Sequence, residues 1–343
     1  MKDPESFRVL IDHHEPFLLA HGGLQVQIEQ TSAALMRRGQ KVGMLRWWDA
    51  QDVPELIHFF GLPSLAYLDR AKAKKTPLVV THLLTTSCNR TPARLFAQKL
   101  VTRTLLSLRC LDSMSAKMGW LSLQRADAVV VGLEAEKRFL VNVWGVPAER
   151  IHKIPLGVHR AFLDEEKDHG KDLQTLPEKF LVSVGTICAR KRSLEIARLA
   201  KAGGIPMVFV GKPLSHDAYF SAFSSEIANS SVRYISHVSD PHKLASIYRR
   251  AAGFVHFSDG ENWCLAAHEA AACRCPLLLP DQPWARERFN SQAAYWSEAS
   301  FHTQRLTAFF NSPPITKANN IPDWDFVATA LMQVYSQVRN FHA

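Results

Sequence analysis

The chain has 343 residues, 47% apolar and 21% charged, with 41 Lys and Arg against 32 Asp and Glu for a formal charge of +9. These values exclude disordered, collagen-like and low-complexity classes, and the length sets an expectation of two domains. The six cysteines are too sparse for a disulfide framework, so a reduced cytosolic protein is expected. The segment Met1–Ile11 carries acidic residues and only a short apolar stretch, unlike a signal peptide, and no run of apolar residues reaches membrane-spanning length.

Arg8 to Ile11 reads as a strand, and Gly22-Gly23 breaks the chain. Leu24, Ile28, Thr31 and Leu35 then recur at helical spacing before Gly39. Strands follow at Lys41–Leu45, Leu56–Phe60, Leu78–Thr81 and Ala128–Val131, with a long helical region over 91–125. The polar stretch 164–178 reads as a linker. The alternation restarts with strands at Phe180–Val184, Pro206–Val210, Val232–Ile235, Gly253–Phe257 and Pro276–Leu279. Helices are expected over 193–201, 241–251 and 265–274. Strand and helix alternate as in doubly wound α/β sheets, which bind ligands at the carboxyl ends of their strands, so a cleft between two such halves is expected.

The strongest constellation is Glu261-Asn262-Trp263-Cys264-Leu265 followed by Glu269, between the strand GFVHF and an Ala-rich helix. Free N–H groups at such a helix start favour an anion. A carboxylate at Glu269 suits two ribose hydroxyls, and Glu261 in the loop would lie nearer a bound sugar. The competing explanation is an ordinary helix with acidic residues near its start.

The stretch SDGENWCLAAHEAAACRCPLLL resembles the donor-site signature of retaining GT-B glycosyltransferases of the group 1, family 4-like kind. Other pieces agree in order. Ala20-His21-Gly22-Gly23 with the following helix resembles the family's glycine loop, and Ile151–Val158 the end of its first domain. Val182–Gly185 with Arg190-Lys191 resembles its diphosphate loop, and Trp324–Tyr335 its last helix, which crosses back to the first domain. The resemblance implies two Rossmann-like domains facing across a cleft: an acceptor-side domain over 1–165 plus a crossover helix near 321–343, and a donor domain over 166–320.

The resemblance also implies roles. Glu269 would hold the ribose of a nucleotide sugar, and Glu261 would lie beside the reacting carbon. Backbone N–H groups from Asn262, Trp263, Cys264 and Leu265 would contact phosphate or sugar. Lys191 and Arg190 would neutralise the diphosphate, the main catalytic demand when no metal helps. Gly22 and Gly23 would let backbone approach the donor. No cofactor and no metal are implied beyond the nucleotide sugar itself. The sequence departs from the family at Thr186, where an Arg is usual, and at Asn262-Trp263-Cys264, where Gly-Phe-Gly is usual. Leu156 and His159 also differ from the usual Asn and Asp.

His82, at a strand end where the family often has a His, is a candidate to orient a hydroxyl or shuttle a proton. The alternative is a plain loop histidine, and His13, His14 and His21 compete for the role. There is no G-x-G-x-x-G after the first strand, no Walker A sequence and no Gly-x-Ser-x-Gly turn. An epimerase or phosphorylase on the same fold, or a non-catalytic sugar-nucleotide-binding protein, remain as alternatives. Nucleic acid is not expected, because no recognition motif accompanies the charge. Most of the excess charge sits in residues 90–125, with seven Lys and Arg against Asp112. That segment reads either as a helix with solvated charges or as a peripheral contact with anionic membrane. A cytoplasmic location, and a glycan or lipid-linked acceptor, complete the expectation.

Overall fold

The computed structural model describes residues 7–14, 17, 22–82, 84, 87–88, 90–107, 120–164, 176–258, 260–261, 263–315 and 321–342. They form two units, Met1–Gly157 with Trp324–Ala343, and Val158–Asp323.

In the first unit, β1 (Arg8–His13) leads into α1 (Gly23–Arg37), whose residues Gln27, Ile28, Thr31, Ala34 and Leu35 form one buried face. The chain leaves that helix through Gly39 at φ +82 and enters β2 (Lys41–Met44). Next come β3 (Leu56–Phe60), α2 (Leu65–Ala73), β4 (Leu78–Thr81) and α3 (Pro92–Ser107). The Ser64 side chain caps α2 by accepting from the Tyr67 N–H. Then follow α4 (Trp120–Arg125), β5 (Ala128–Val131), α5 (Glu134–Phe139) with a π-helical extension over Leu140–Trp144, and β6 (Ile151–Lys153). The strands LIHFF, LVVT and AVVV are buried along their whole length. This is the pattern of a parallel sheet covered on both faces. The sheet order is β2-β1-β3-β4-β5-β6, with every pair parallel. Of the helix expected over 91–125, α3 and α4 are described, and residues 108–119 lie outside the described residues.

The second unit runs through α6 (Arg160–Leu163), β7 (Leu181–Val184), α7 (Ser193–Ala202), β8 (Met207–Val210), α8 (Ala218–Ile227) and β9 (Val232–Ile235). It continues with α9 (Pro241–Arg250), β10 (Gly253–Val255), α10 (Leu265–Ala272), β11 (Leu277–Pro280), α11 (Pro283–Phe289), β12 (Ala293–Trp296) and α12 (Thr303–Asn311). Asp240 caps α9 by accepting from the His242 N–H at 2.9 Å, with Pro241 in the first turn and Arg249 and Arg250 in the last. The sheet order is β12-β11-β10-β7-β8-β9, again parallel throughout.

The division between the units falls at Gly157/Val158, where the sequence reading set it at 165/166. Residues 158–164 are tied into the second unit. Val158 bridges Asp323, Arg249 donates to the Ala161 and Asp164 carbonyls, and Phe162 packs on the Tyr248 ring. Most of the expected linker, residues 165–175, lies outside the described residues.

The last helix, α13 (Trp324–His342), returns to the first unit and packs on α1. Asp325 accepts a 2.7 Å salt bridge from Arg37, and Arg339 pairs with Glu55 and lies over the Phe7 ring. At the centre of this packing His58 is fully buried, its Nδ1 2.6 Å from the Tyr335 hydroxyl and its Nε2 2.7 Å from Thr81 Oγ1. Burial pushes the His58 imidazole down to about 3, so it is neutral here.

Candidate functional site

In a doubly wound sheet the ligand crevice lies outside the carboxyl ends of the strands, where the strand order reverses. In the second unit that point falls between β7 and β10, the two central strands. The loop after β7 starts at Gly185 (φ +146), and the loop after β8 at Gly211 (φ +150). A Cβ on Gly211 would overlap the Gly185 carbonyl oxygen, so the two loops touch backbone to backbone. This packing directs the β7 loop into a single 3₁₀ turn, Ala189–Lys191, held by the Lys191 N–H on the Cys188 carbonyl at 3.1 Å. Arg192 ends the turn in the left-handed region (φ +49), and its guanidinium lies over the Phe257 ring and pairs with Glu298.

The β10 loop meets it from the other side. Ser258 Oγ donates to the Gly260 carbonyl at 3.2 Å, folding the loop back on itself. Arg190 donates to the same carbonyl at 2.8 Å and to Glu261 Oε1 at 3.0 Å. Lys191 Nζ makes a direct ion pair with Glu261 Oε1. The His256 imidazole, buried at the end of β10, has Nε2 3.7 Å from that oxygen. Glu261 and Lys191 expose only 13% and 16% of their side chains. Burial alone would raise the Glu261 carboxyl, but the His256 contact and the Lys191 charge outweigh it and hold the group well below the usual range. Burial, with the Lys191 charge added, lowers His256.

Cys264 stands at the start of α10 in the left-handed region (φ +37). Its thiol is buried and pushed up to about 12, chiefly by that burial, so it is an inert filler. Trp263 beside it is buried too, and Leu265 is the first residue of the helix. His268 anchors the helix start. Its Nδ1 is 3.1 Å from the Cys264 carbonyl, and its Nε2 accepts from Arg288 at 2.9 Å. Burial and the Arg288 charge push it down to about 3, which fixes this neutral tautomer. Glu269 is separate from the Lys191 cluster. It accepts from the Tyr248 hydroxyl at 3.2 Å, and burial raises its carboxyl to about 8. Asn262 lies outside the described residues.

In the first unit the order reverses between β1 and β3. Asp12, buried at the end of β1, accepts from Trp47 Nε1 at 3.0 Å, Tyr67 Oη at 2.7 Å and the His13 N–H at 2.9 Å. His14 Nε2 lies 2.5 Å from the Leu62 carbonyl, just past β3. His82 follows β4, its ring stacked towards Trp144 with 6.2 Å between centroids and its Nδ1 buried without a hydrogen-bond partner. Burial, reinforced by the His14 charge, pushes His82 down to about 4. A neutral imidazole of this kind suits holding a hydroxyl better than shuttling protons near neutral pH. His21 lies outside the described residues. Gly22 and Gly23 start α1, are exposed, and have open space around a would-be Cβ.

The site residues missed in the sequence are His256, Ser258, Tyr248, Asp12 and Tyr67. The visible signal for His256 and Asp12 is a polar residue closing an apolar strand, in GFVHF and VLIDH. Among the described residues, no group of three or more His, Cys, Asp or Glu gathers as metal ligands would.

Residues 32–157 match the family model described as the glycosyl transferase 4-like domain. This stretch of the first unit is therefore similar to a glycosyltransferase domain. No curated protein matches it in sequence. Solved glycosyltransferase-fold structures match it along nearly its whole length. HepE of Anabaena, solved in complex with UDP and glucose, is 13% identical at a TM-score of 0.66, covering 97% of this chain and 100% of its own. Sucrose-phosphate synthase of Thermosynechococcus elongatus is 17% identical at 0.68, covering 98% and 100%. A glycosyltransferase from Rickettsia africae is 11% identical at 0.68, covering 97% and 99%. At these identities the likeness establishes the fold, which is GT-B: two parallel six-stranded sheets, each wound with helices.

Proposed function

We propose that this protein transfers a sugar from a nucleotide-sugar donor to an acceptor hydroxyl, with retention at the anomeric carbon and without a metal. The observation that carries the reading is the convergence of Lys191 and Arg190 on Glu261 at the β7/β10 switch point of a GT-B unit. Two cations held by one carboxylate form a ready anion site, for which a donor diphosphate competes with Glu261. Lys191 and Arg190 then meet the negative charge that grows on the departing phosphate, which is where electrostatic stabilisation counts most. Glu261, exchanged off the cations, turns to the hydroxyls of the donor sugar. Glu269 takes the ribose, and N–H groups at the start of α10, over residues 262–265, take phosphate or sugar oxygens. In the first unit, His82 holds an acceptor hydroxyl, and the backbone at Gly22 and Gly23 is open to a ligand.

The reading carries a cytoplasmic location and a glycan or lipid-linked acceptor. It also includes peripheral contact with anionic lipid through α3, where Phe96 and Leu100 are 70% and 62% exposed among Arg90, Arg94, Lys99 and Arg103. Residues 90–107 hold no acidic residue, so an anionic surface attracts this face and the apolar side chains can enter the headgroup layer.

Calorimetry with a panel of nucleotide sugars tests the donor assignment, headed by UDP-glucose because HepE of Anabaena was solved with UDP and glucose. Binding of one member and its loss in Glu269→Ala is expected. No binding across the panel overturns the reading. Following the anomeric proton of the product by NMR separates retention from inversion.

A further inference from the structure

Trp47 and Trp48 follow β2 at the carboxyl edge of the first sheet, 71% and 84% exposed. Two adjacent exposed indoles are costly to leave in water. Trp47 is not a loose side chain. Its Nε1–H is spent inward on Asp12, a buried carboxylate that Tyr67 and the His13 N–H also hold. Backbone pairing continues beyond the strand end, with the Leu45 N–H on the Ile11 carbonyl at 2.8 Å. So the indole is pinned at its polar edge while most of its ring stays exposed. That plate stands beside β1, one of the two strands at the switch point where α/β sheets receive ligands.

We propose that Trp47 is a sugar-stacking platform and that the acceptor is a carbohydrate presenting the apolar C–H face of a pyranose ring. The proposal rests on the glycosyltransferase reading and deepens it, by choosing a glycan over a purely apolar acceptor. A pyranose has one face of C–H groups and a rim of hydroxyls. The first matches a fixed aromatic plate, which contributes contact area with little rotamer entropy to lose. The hydroxyl rim matches the polar surroundings, where Arg46 is fixed by Asp49 and Asp52 rather than free to bind an anion. Charge argues against a lipid anchor at this place. Arg46, the one basic residue of 44–55, pairs with Asp49 and Asp52, and Arg8 and Arg339 pair with Asp52 and Glu55, so these cations are already matched and do not draw an anionic bilayer. The basic face of α3 is the opposite case.

Saturation-transfer NMR on the full chain tests this with methyl glycosides and with di- and trisaccharides of glucose, galactose, mannose and N-acetylglucosamine. We expect transfer to ring C–H protons of at least one saccharide, a roughly fivefold or greater loss of affinity in Trp47→Ala, and substantial retention in Trp47→Phe. Unchanged UDP-glucose titration and an unchanged melting profile in both variants show that the fold and the donor site are intact. Absence of transfer from the whole panel overturns the proposal. So does equal saccharide binding by wild type and Trp47→Ala, or recruitment of wild type to phosphatidylglycerol vesicles that Trp47→Ala loses. Saccharide binding without any donor binding spares the platform and sinks the transferase reading instead.

Discussion

The Tyr248 hydroxyl donates to Glu269 Oε2 at 3.2 Å, joining α9 to α10. Burial dominates this carboxyl and lifts it from 4.5 to about 8, with the tyrosine hydrogen bond opposing the rise. The folded protein therefore keeps a proton that the unfolded chain gives up, so stability falls as pH rises from about 4.5 to about 8. A ribose held by a charged Glu269 requires that proton to leave. Nucleotide affinity should thus rise with pH towards 8, and binding at pH 7 should release a proton, read as a buffer-dependent calorimetric heat. Glu269→Gln should abolish the buffer dependence and flatten the stability profile over that range.

Lys191→Met should lower the transfer rate by a factor of about 100 or more, the usual loss when a charge facing the leaving group is removed. Its effect on stability should be smaller, about 1 kcal/mol, because Glu261 keeps Arg190 at 3.0 Å. Rate measurements at saturating donor, beside a denaturant titration, separate the two. A variant that slows transfer less than threefold would remove Lys191 from catalysis.

His58 titrates far below its ordinary 6.5, so the unfolded chain binds a proton that the fold rejects. Stability from this residue is complete above about 6.5 and is lost as pH falls towards 3. His58→Leu should cost about 2–5 kcal/mol, since the Tyr335 hydroxyl and Thr81 lose their partner inside the core. The double variant His58→Leu, Tyr335→Phe should recover part of that loss in the same melt.

Gly211→Ala should damage the second unit more than any surface change. The added methyl meets the Gly185 carbonyl, and the φ of +150 is strained for any other residue. We expect a loss of roughly 3 kcal/mol or more. Nucleotide binding should weaken with it, because the displaced backbone leads directly to Lys191. Gly204→Ala is the control. Its φ is also positive, at +61, but it has open space around it and precedes β8, whereas Gly211 follows that strand.

The face of α3 can be tested with vesicles. Wild type should sediment with phosphatidylglycerol vesicles at low salt and leave them at high salt. Phe96→Ser with Leu100→Ser should abolish sedimentation while leaving donor binding unchanged. No sedimentation of wild type at low salt would end the membrane assignment.

The strands that build the two sheet centres were legible because burial on both faces leaves no room for polar alternation, as in LIHFF, LVVT and MVFV. The edge strands Ile151–Lys153 and Ala293–Trp296 were not read as strands. The first has only three residues, two of them His152 and Lys153, and the second opens on two alanines, which carry little strand preference. The donor constellation was legible in part, because Glu261 and Glu269 lie close in sequence and Arg190 with Lys191 forms a visible cluster. What sequence could not give is the pairing of the two clusters, 70 residues apart, or the Tyr335 contact on His58 across 277 residues. Such partners are chosen by the fold, and no local pattern announces them. The role of Cys264 was also hidden: a side chain at a glycine-like position is tolerated because it turns into the core.

The chain passes from the first unit to the second at Gly157/Val158 and returns at Asp323/Trp324. During synthesis the first sheet therefore emerges well before the helix that covers it. Until Tyr335 leaves the ribosome, His58 and the buried face of α1 have no α13 to close over them. The second unit, whose segment is contiguous, can mature while the first still waits. A premature stop between Asp323 and Tyr335 would spare every donor-site side chain of the second unit and yet leave the first unit unsealed, a fault that a nucleotide-binding assay alone would miss.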